Sequence, residues 1–319
     1  MQIAIDALKT HVIYKEKKDI NFDSKRTNMN IHLLHPATFG LDGGAMFGIV
    51  PKPLWEKKIQ PDEQNRIPMS LRCVLVQTKN KNILIDTGIG DYHPDKFKTN
   101  FIINTDQAPL EQALNKINLK ASDITDVILT HLHFDHVGGL TTEIDGKTKT
   151  VFPNATIHLH KKHFEYSQSP TMRDAGSFHT HTFLPVINEY IEKNQVHFIE
   201  GDEEGIVLTD GEEKIEYKIS FGHTPYMLHP IFDGHIYMAD LVPMSHHVHV
   251  PWVMGYDIEP ATTTIYKQKF YDRITKENLT LIFEHDIPTW GGKLKVDERH
   301  RYTLDPAFES NQELIEKIQ

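Results

Sequence analysis

The chain has 319 residues, room for one large domain or two ordinary ones, and its 39% apolar and 24% charged residues describe a folded globular protein. A net charge of −10 argues against a nucleic-acid partner, and the densest basic run, Lys15–Lys18, reads as a solvated face rather than a phosphate track. One cysteine excludes an intrachain disulfide and a thiolate metal cluster, and no apolar run approaches the ~18 residues of a membrane span.

In chain order, residues 1–29 read as an N-terminal extension. Asp6 and Lys9 fall too early for the apolar region of a signal peptide, so the expected location is the cytoplasm. Phe39–Trp55, "FGLDGGAMFGIVPKPLW", mixes glycines, prolines and large apolar residues and reads as a long shaped loop. "LRCVLVQT" and "NILIDTG" form two strands around a turn at Lys79–Lys81, with Cys73 a small buried apolar residue of the first. "PLEQALNKINL" has apolar residues at helical spacing after a proline start, and "SDITDVILT" leads into a third strand. A strand "ATIHLH", helices "KKHFEYSQ" and "LPVINEYIEKN", and strands "VHFIE", "EKIEYKIS" and "PIFDGHIYMAD" follow. Two closing helices, "TTTIYKQKFYDRITKEN" and "NQELIEKI", bracket the strand "LTLIFEHD". Strands come first in hairpins and then alternate with helices, twice. This order predicts two sheets face to face with helices outside, in one domain spanning 1–319.

The third strand ends in "VILTHLHFDHVGG". His131, His133, Asp135 and His136 are all metal-ligand types, and the H-x-H-x-D-H alternation aims them at a common volume. A pair of divalent ions needs more ligands than one such motif offers. Three further candidates stand just past apolar, strand-type runs: His223 in "ISFGHTPY", Asp240 in "IYMADLV" and His285 in "LIFEHD". Each is expected to project from the rim of a sheet that also carries the motif. The paired histidines His160/His163 and His179/His181 read as helix or loop surface.

Taken together, H-x-H-x-D-H, the "GHT" histidine, the strand-end aspartate, the late histidine and the "LIDTG" element resemble the metallo-β-lactamase superfamily over Ile31 to Ile287. The resemblance implies an αββα sandwich of two mixed sheets flanked by helices, with metals at one edge. It implies one ion on His131, His133 and His223 and a second on Asp135, His136 and His285. Asp240 would bridge the two, and Asp86 would orient ligands from behind. Two divalent ions are implied as cofactors, zinc foremost, with iron, manganese or cobalt as alternatives. One departure is that the family's G-H-T-P-G-H here reads G-H-T-P-Tyr226-Met227, which should place a bulky ring near the site.

"GGAMFGIVPKPLW", "THLHFDH" and "MADLVPMSHHVHVPWVMGYD" are similar to quorum-quenching lactonases acting on N-acyl-homoserine lactones, and to the related methyl-parathion-type hydrolases. The implied activity is lactone opening by a hydroxide held between the metals, with Asp135 moving the proton. A tyrosine that some lactonases carry three residues after the bridging aspartate is Pro243 here, leaving Tyr256 as first candidate for the catalytic donor, with Tyr226, His246 and His247 as alternatives. Met46, Phe47, Trp252, Met254 and His246 are the candidate substrate pocket. An organophosphate or aryl ester is the alternative substrate, and a non-catalytic metal-binding protein the less favoured one. The expected partner is a small acyl lactone or ester, with no nucleic acid and no membrane, in a monomer or homodimer.

Overall fold

A computed structural model describes residues 29–105, 107–144 and 147–310. The Lys15–Lys18 run, the expected extension up to residue 28 and the expected helix "NQELIEKI" lie outside the described residues.

Two seven-stranded sheets dominate the described residues. The first takes β1 (Asn30–Asp42), β2 (Arg66–Gln77), β3 (Asn82–Ile85), β4 (Asn104–Thr105) and β5 (Asp126–Ile128). After a separate hairpin, β6 (Thr141–Ile144) and β7 (Lys147–Thr150), it is completed by β8 (Thr156–His160) and β9 (Val196–Ile199). Its spatial order is β4-β1-β2-β3-β5-β8-β9, antiparallel through β3 and parallel from β3 to β9. The second sheet runs in chain order through β10 (Glu204–Asp210), β11 (Glu213–Ser220), β12 (Met227–Phe232), β13 (His235–Tyr237), β14 (Thr280–Ile282), β15 (Thr289–Val296) and β16 (Tyr302–Glu309). Only β13 and β14 pair in parallel there. The expected αββα sandwich of two mixed sheets is the observed fold.

Strand patterning explains the layers. In β11, Ile215, Tyr217 and Ile219 are buried and alternate with half-exposed Glu216 and Lys218, so one face meets the core and the other solvent. Between the sheets, Leu33, Val74, Val76, Ile83 and Ile85 meet Val207, Ile215, Ile219 and Ile231 in one cluster. β2 is buried at nearly every position because its other face, with Cys73 and Leu75, is covered by the helices Pro109–Asn115 and Thr180–Glu192. The latter helix buries Phe183, Val186, Ile187 and Tyr190, a stripe at helical spacing. Pro260–Glu277 starts on a proline, stops at left-handed Asn278, and adds Phe270, Tyr271 and Ile274 to the core.

Phe39–Trp55 is not one long loop. Phe39–Asp42 completes β1, and two short helices follow, Gly43–Phe47 and Lys52–Trp55. Asp42 stops the strand by accepting a 2.8 Å bond from the Ala45 amide at the first helix start.

Candidate metal centre

The seven residues singled out in the sequence converge on one rim. His131 and His133 follow β5, and Asp135 and His136 lie in the short helix Phe134–Val137. His223 is in the turn after β11, while Asp240 and His285 follow β13 and β14. The parallel pairing of β13 with β14 brings the last two to the same end of the second sheet.

The glycines of the motif explain how its helix reaches the "DTG" turn. A Cβ on Gly139 would stand 2.1 Å from the Thr87 carbonyl oxygen, and one on Gly138 2.3 Å from that of Ile89. With no side chains in the way, the Gly139 amide donates to Gly88 O at 3.0 Å and the Thr87 amide to His136 O at 2.8 Å.

The seven fall into two sets with mutual ligand-atom distances within 4.8 Å, His131, His133, His223 and Asp240, then Asp135, His136 and His285, and a third such group of Asp86, His136 and Glu284 stands beside them. Asp240 touches both sets. Its Oδ2 is 3.0 Å from His223 Nε2, and its Oδ1 is 3.1 Å from His285 Nε2. His285 Nε2 is in turn 3.7 Å from Asp135 Oδ2.

Outer hydrogen bonds set which nitrogen faces inward. His136 Nδ1–H donates to Asp86 at 3.0 Å, His223 Nδ1–H to Asp257 at 3.0 Å, and His285 Nδ1–H to Ser70 O at 2.9 Å. His131 Nδ1 is 3.0 Å from Thr130 Oγ1, which itself donates to Asp86 at 2.7 Å. The Nε2 atoms of all four therefore face into the rim, as metal ligation requires.

The donor set fits cations. His133 Nδ1 lies 3.1 Å from both His131 Nε2 and His223 Nε2, so imidazole nitrogens crowd one point. Buried His136 Nε2 has no hydrogen-bond partner. Burial, reinforced by neighbouring imidazoles, holds His131 and His133 well below the usual histidine range, keeping them neutral. Burial opposes charge on His223 and His285 too, but Asp240 outweighs it and pushes them up to about 10 and about 9. Divalent ions would take the place of those protons.

Several contributors were not foreseen. Asp257 orients His223, as described. Glu284 is fully buried with Oε2 2.9 Å from His136 Nδ1, and burial raises its carboxyl to about 7. Arg72, also fully buried, donates to the carbonyls of Phe283 and, at 2.7 Å, Asp286, on either side of the Glu284–His285 pair. His160 and His163 are not on the surface: each is 1% exposed. Tyr226 does not narrow the site, since it stacks on His160 at 4.6 Å. A glutamate, an arginine or an extra histidine has too many ordinary uses for such roles to be read from type alone.

The candidate pocket residues divide. Met46, Phe47 and Met254 are buried in one apolar cluster, with Phe47 stacked on Trp55 and on His247. Trp252, Tyr256 and His246 keep partial exposure. Burial pushes the Tyr256 phenol up to about 12, with Asp42 and Asp135 adding to the effect, so it is a proton donor at neutral pH. Beyond Phe134, whose ring stacks on half-buried His179 at 4.9 Å, opens a cavity of about 440 Å³. Tyr92, His93, Phe97, Thr141, His179 and His181 are among its walls.

Two mixed sheets, flanking helices and a rim of converging imidazoles and carboxylates define a metal-dependent hydrolase. Residues 68–299 match the metallo-beta-lactamase superfamily, and the chain belongs to it. An N-acyl homoserine lactonase of Bacillus cereus is 24% identical over 235 residues, covering 70% of this chain and 84% of that protein. Among solved structures, a probable metal-dependent hydrolase from Staphylococcus aureus is 27% identical with a TM-score of 0.75, over 88% of this chain and 98% of that one. The fold is also that of AidC, described as a dizinc quorum-quenching lactonase in complex with a homoserine product, with a TM-score of 0.69 and 21% identity over 94% and 99% of the two chains.

Proposed function

We propose that this protein is a lactonase that opens N-acyl-homoserine lactones, using two divalent ions, zinc foremost, within one domain. The observation that carries the reading is Asp240, whose two oxygens reach histidines of both ligand sets at 3.0 and 3.1 Å. Similarity to N-acyl homoserine lactonases supports the choice of substrate.

His131, His133 and His223 would hold one ion, Asp135, His136 and His285 the other, and Asp240 both. Bound ions would supply Lewis acidity and a water acidified to near neutral pH. Asp135, whose Oδ2 stands 3.7 Å from His285 Nε2, would accept the proton of the attacking water. As the carbonyl carbon gains the water oxygen and its bond to the ring oxygen breaks, Asp135 returns that proton to the departing alkoxide. Tyr256 donates to the polar part of the substrate, and Asp86 and Asp257 keep the imidazoles aimed. Phe134 and Trp252 exclude water beside the acyl arm. The cavity beyond Phe134 falls within the ~300–1,000 Å³ typical of small-molecule pockets.

Ring opening yields a carboxylic acid, so a pH-stat on metal-replete protein should record one proton released per lactone consumed. No acid from any acyl lactone, beside brisk turnover of an aryl phosphotriester, would transfer the reading to an organophosphate hydrolase.

A further inference from the structure

We infer that His163 is a positioning residue that staples together the two loops carrying His131, His133 and His223. His163 is 1% exposed, in the helix Lys161–Ser167, and uses both ring nitrogens. Its Nε2 accepts a 2.9 Å hydrogen bond from the Leu132 amide, midway between His131 and His133. Its Nδ1–H donates at 2.7 Å to the carbonyl of Pro225, two residues past His223. One imidazole therefore spans two loops that are 90 residues apart in sequence at their candidate ligands, His133 and His223.

The two bonds dictate one tautomer, with the proton on Nδ1, because an amide can only donate and a carbonyl can only accept. Flanking contacts stiffen the same bridge. His160 stacks on Tyr226 at 4.6 Å, and Lys162 Nζ lies 5.0 Å from the centre of that ring. The turn past His223, which carries the tyrosine in place of the family's glycine, is thus gripped from outside by this helix. Tyr226 sits at φ 57, so the turn holds a left-handed backbone that the grip helps to maintain. What the staple sets is the distance between imidazoles of different loops, now 3.1 Å from His133 Nδ1 to His223 Nε2.

The inference rests on reading this group as a metal site, and the test separates the two. Apo protein is titrated with cobalt(II) against a chelator, following visible absorption. Cobalt binding by the unmodified chain tests the site; the ratio between variants tests His163. His163→Leu should weaken cobalt binding 10–100-fold, the usual range for losing a partner that orients metal ligands, and should shift the absorption bands. His163→Gln, whose amide oxygen can still accept from Leu132, should recover most of that loss. Cobalt binding by His163→Leu within twofold of the unmodified chain, with an unchanged spectrum, would overturn the proposal. If His163→Leu does not fold, His163→Gln and the ring-nitrogen NMR of the unmodified apo protein still decide. A His163 ring protonated on Nε2 instead of Nδ1 would overturn it equally.

Discussion

Asp240 reaches histidines of both candidate ligand sets, and His181 offers the contrast, a cavity-wall histidine outside the seven. Asp240→Ala should leave less than half the metal content of the unmodified chain after identical loading and lower kcat at least 100-fold, because in the proposed two-ion centre the lost carboxylate would also screen the cations from each other. His181→Ala should stay within a few fold in both. Elemental analysis beside kinetics checks the pair, and the reverse pattern would refute the ligand assignment. At this scale the sequence was informative where residue type is nearly diagnostic. Two histidines, an aspartate and a histidine at alternate spacing have few other uses, and the three later candidates were found because each follows a strand. Asp257, Glu284, Arg72 and His163 act through distant partners, and no local pattern announces a hydrogen bond to a residue 30 or more positions away.

Elements were legible in proportion to their burial pattern. β2, β3 and the helix Thr180–Glu192 announced themselves through alternating or helical apolar spacing. β15 and β16 were missed, because the Gly291–Gly292 pair interrupts β15, while Pro306 breaks the Tyr302, Leu304 and Phe308 alternation of β16, none of whose positions is fully buried. The helices of the Phe39–Trp55 stretch were missed for a different reason: at five and four residues they are too short to show a period. Between elements, the turn Gly138–Leu140 lies close against the "DTG" turn. Gly139→Ala forces a Cβ into backbone at 2.1 Å, where no side chain can rotate away. It should cost at least ~1–3 kcal/mol, as overpacking does, and reduce metal uptake with it. Urea unfolding curves of the two proteins measure the first effect. An unchanged midpoint would show that the turn has slack the structure does not reveal.

Across the whole molecule, buried neutral histidines set the response to acid. Burial lowers His93 and His163 to about 4 and His229 and His247 to about 3. In the unfolded chain these rings take up protons near pH 6.5. Below that value the unfolded state binds more protons than the native one, so stability falls as pH drops from about 6.5 towards 4 and is fully present above 6.5. Unfolding midpoints of the apo protein should therefore decline steeply through that window. A flat profile from pH 7 to 4 would contradict the burial of these rings.

The overall architecture, two sheets with a metal rim, was legible because the strand order and the ligand series agree. Substrate was less so, because large apolar residues such as Met46, Phe47 and Met254, all buried in one cluster, have the same signature whether they pack a core or line a pocket. Burying each methylene of an acyl arm is worth up to ~0.8 kcal/mol, so longer arms should be favoured. The most direct test is kcat/KM, on protein of known metal content, for butanoyl- and decanoyl-homoserine lactone and an aryl phosphotriester. Decanoyl should exceed butanoyl by at least tenfold, and both should exceed the phosphotriester. A phosphotriester hydrolysed faster than either lactone would contradict the lactonase proposal.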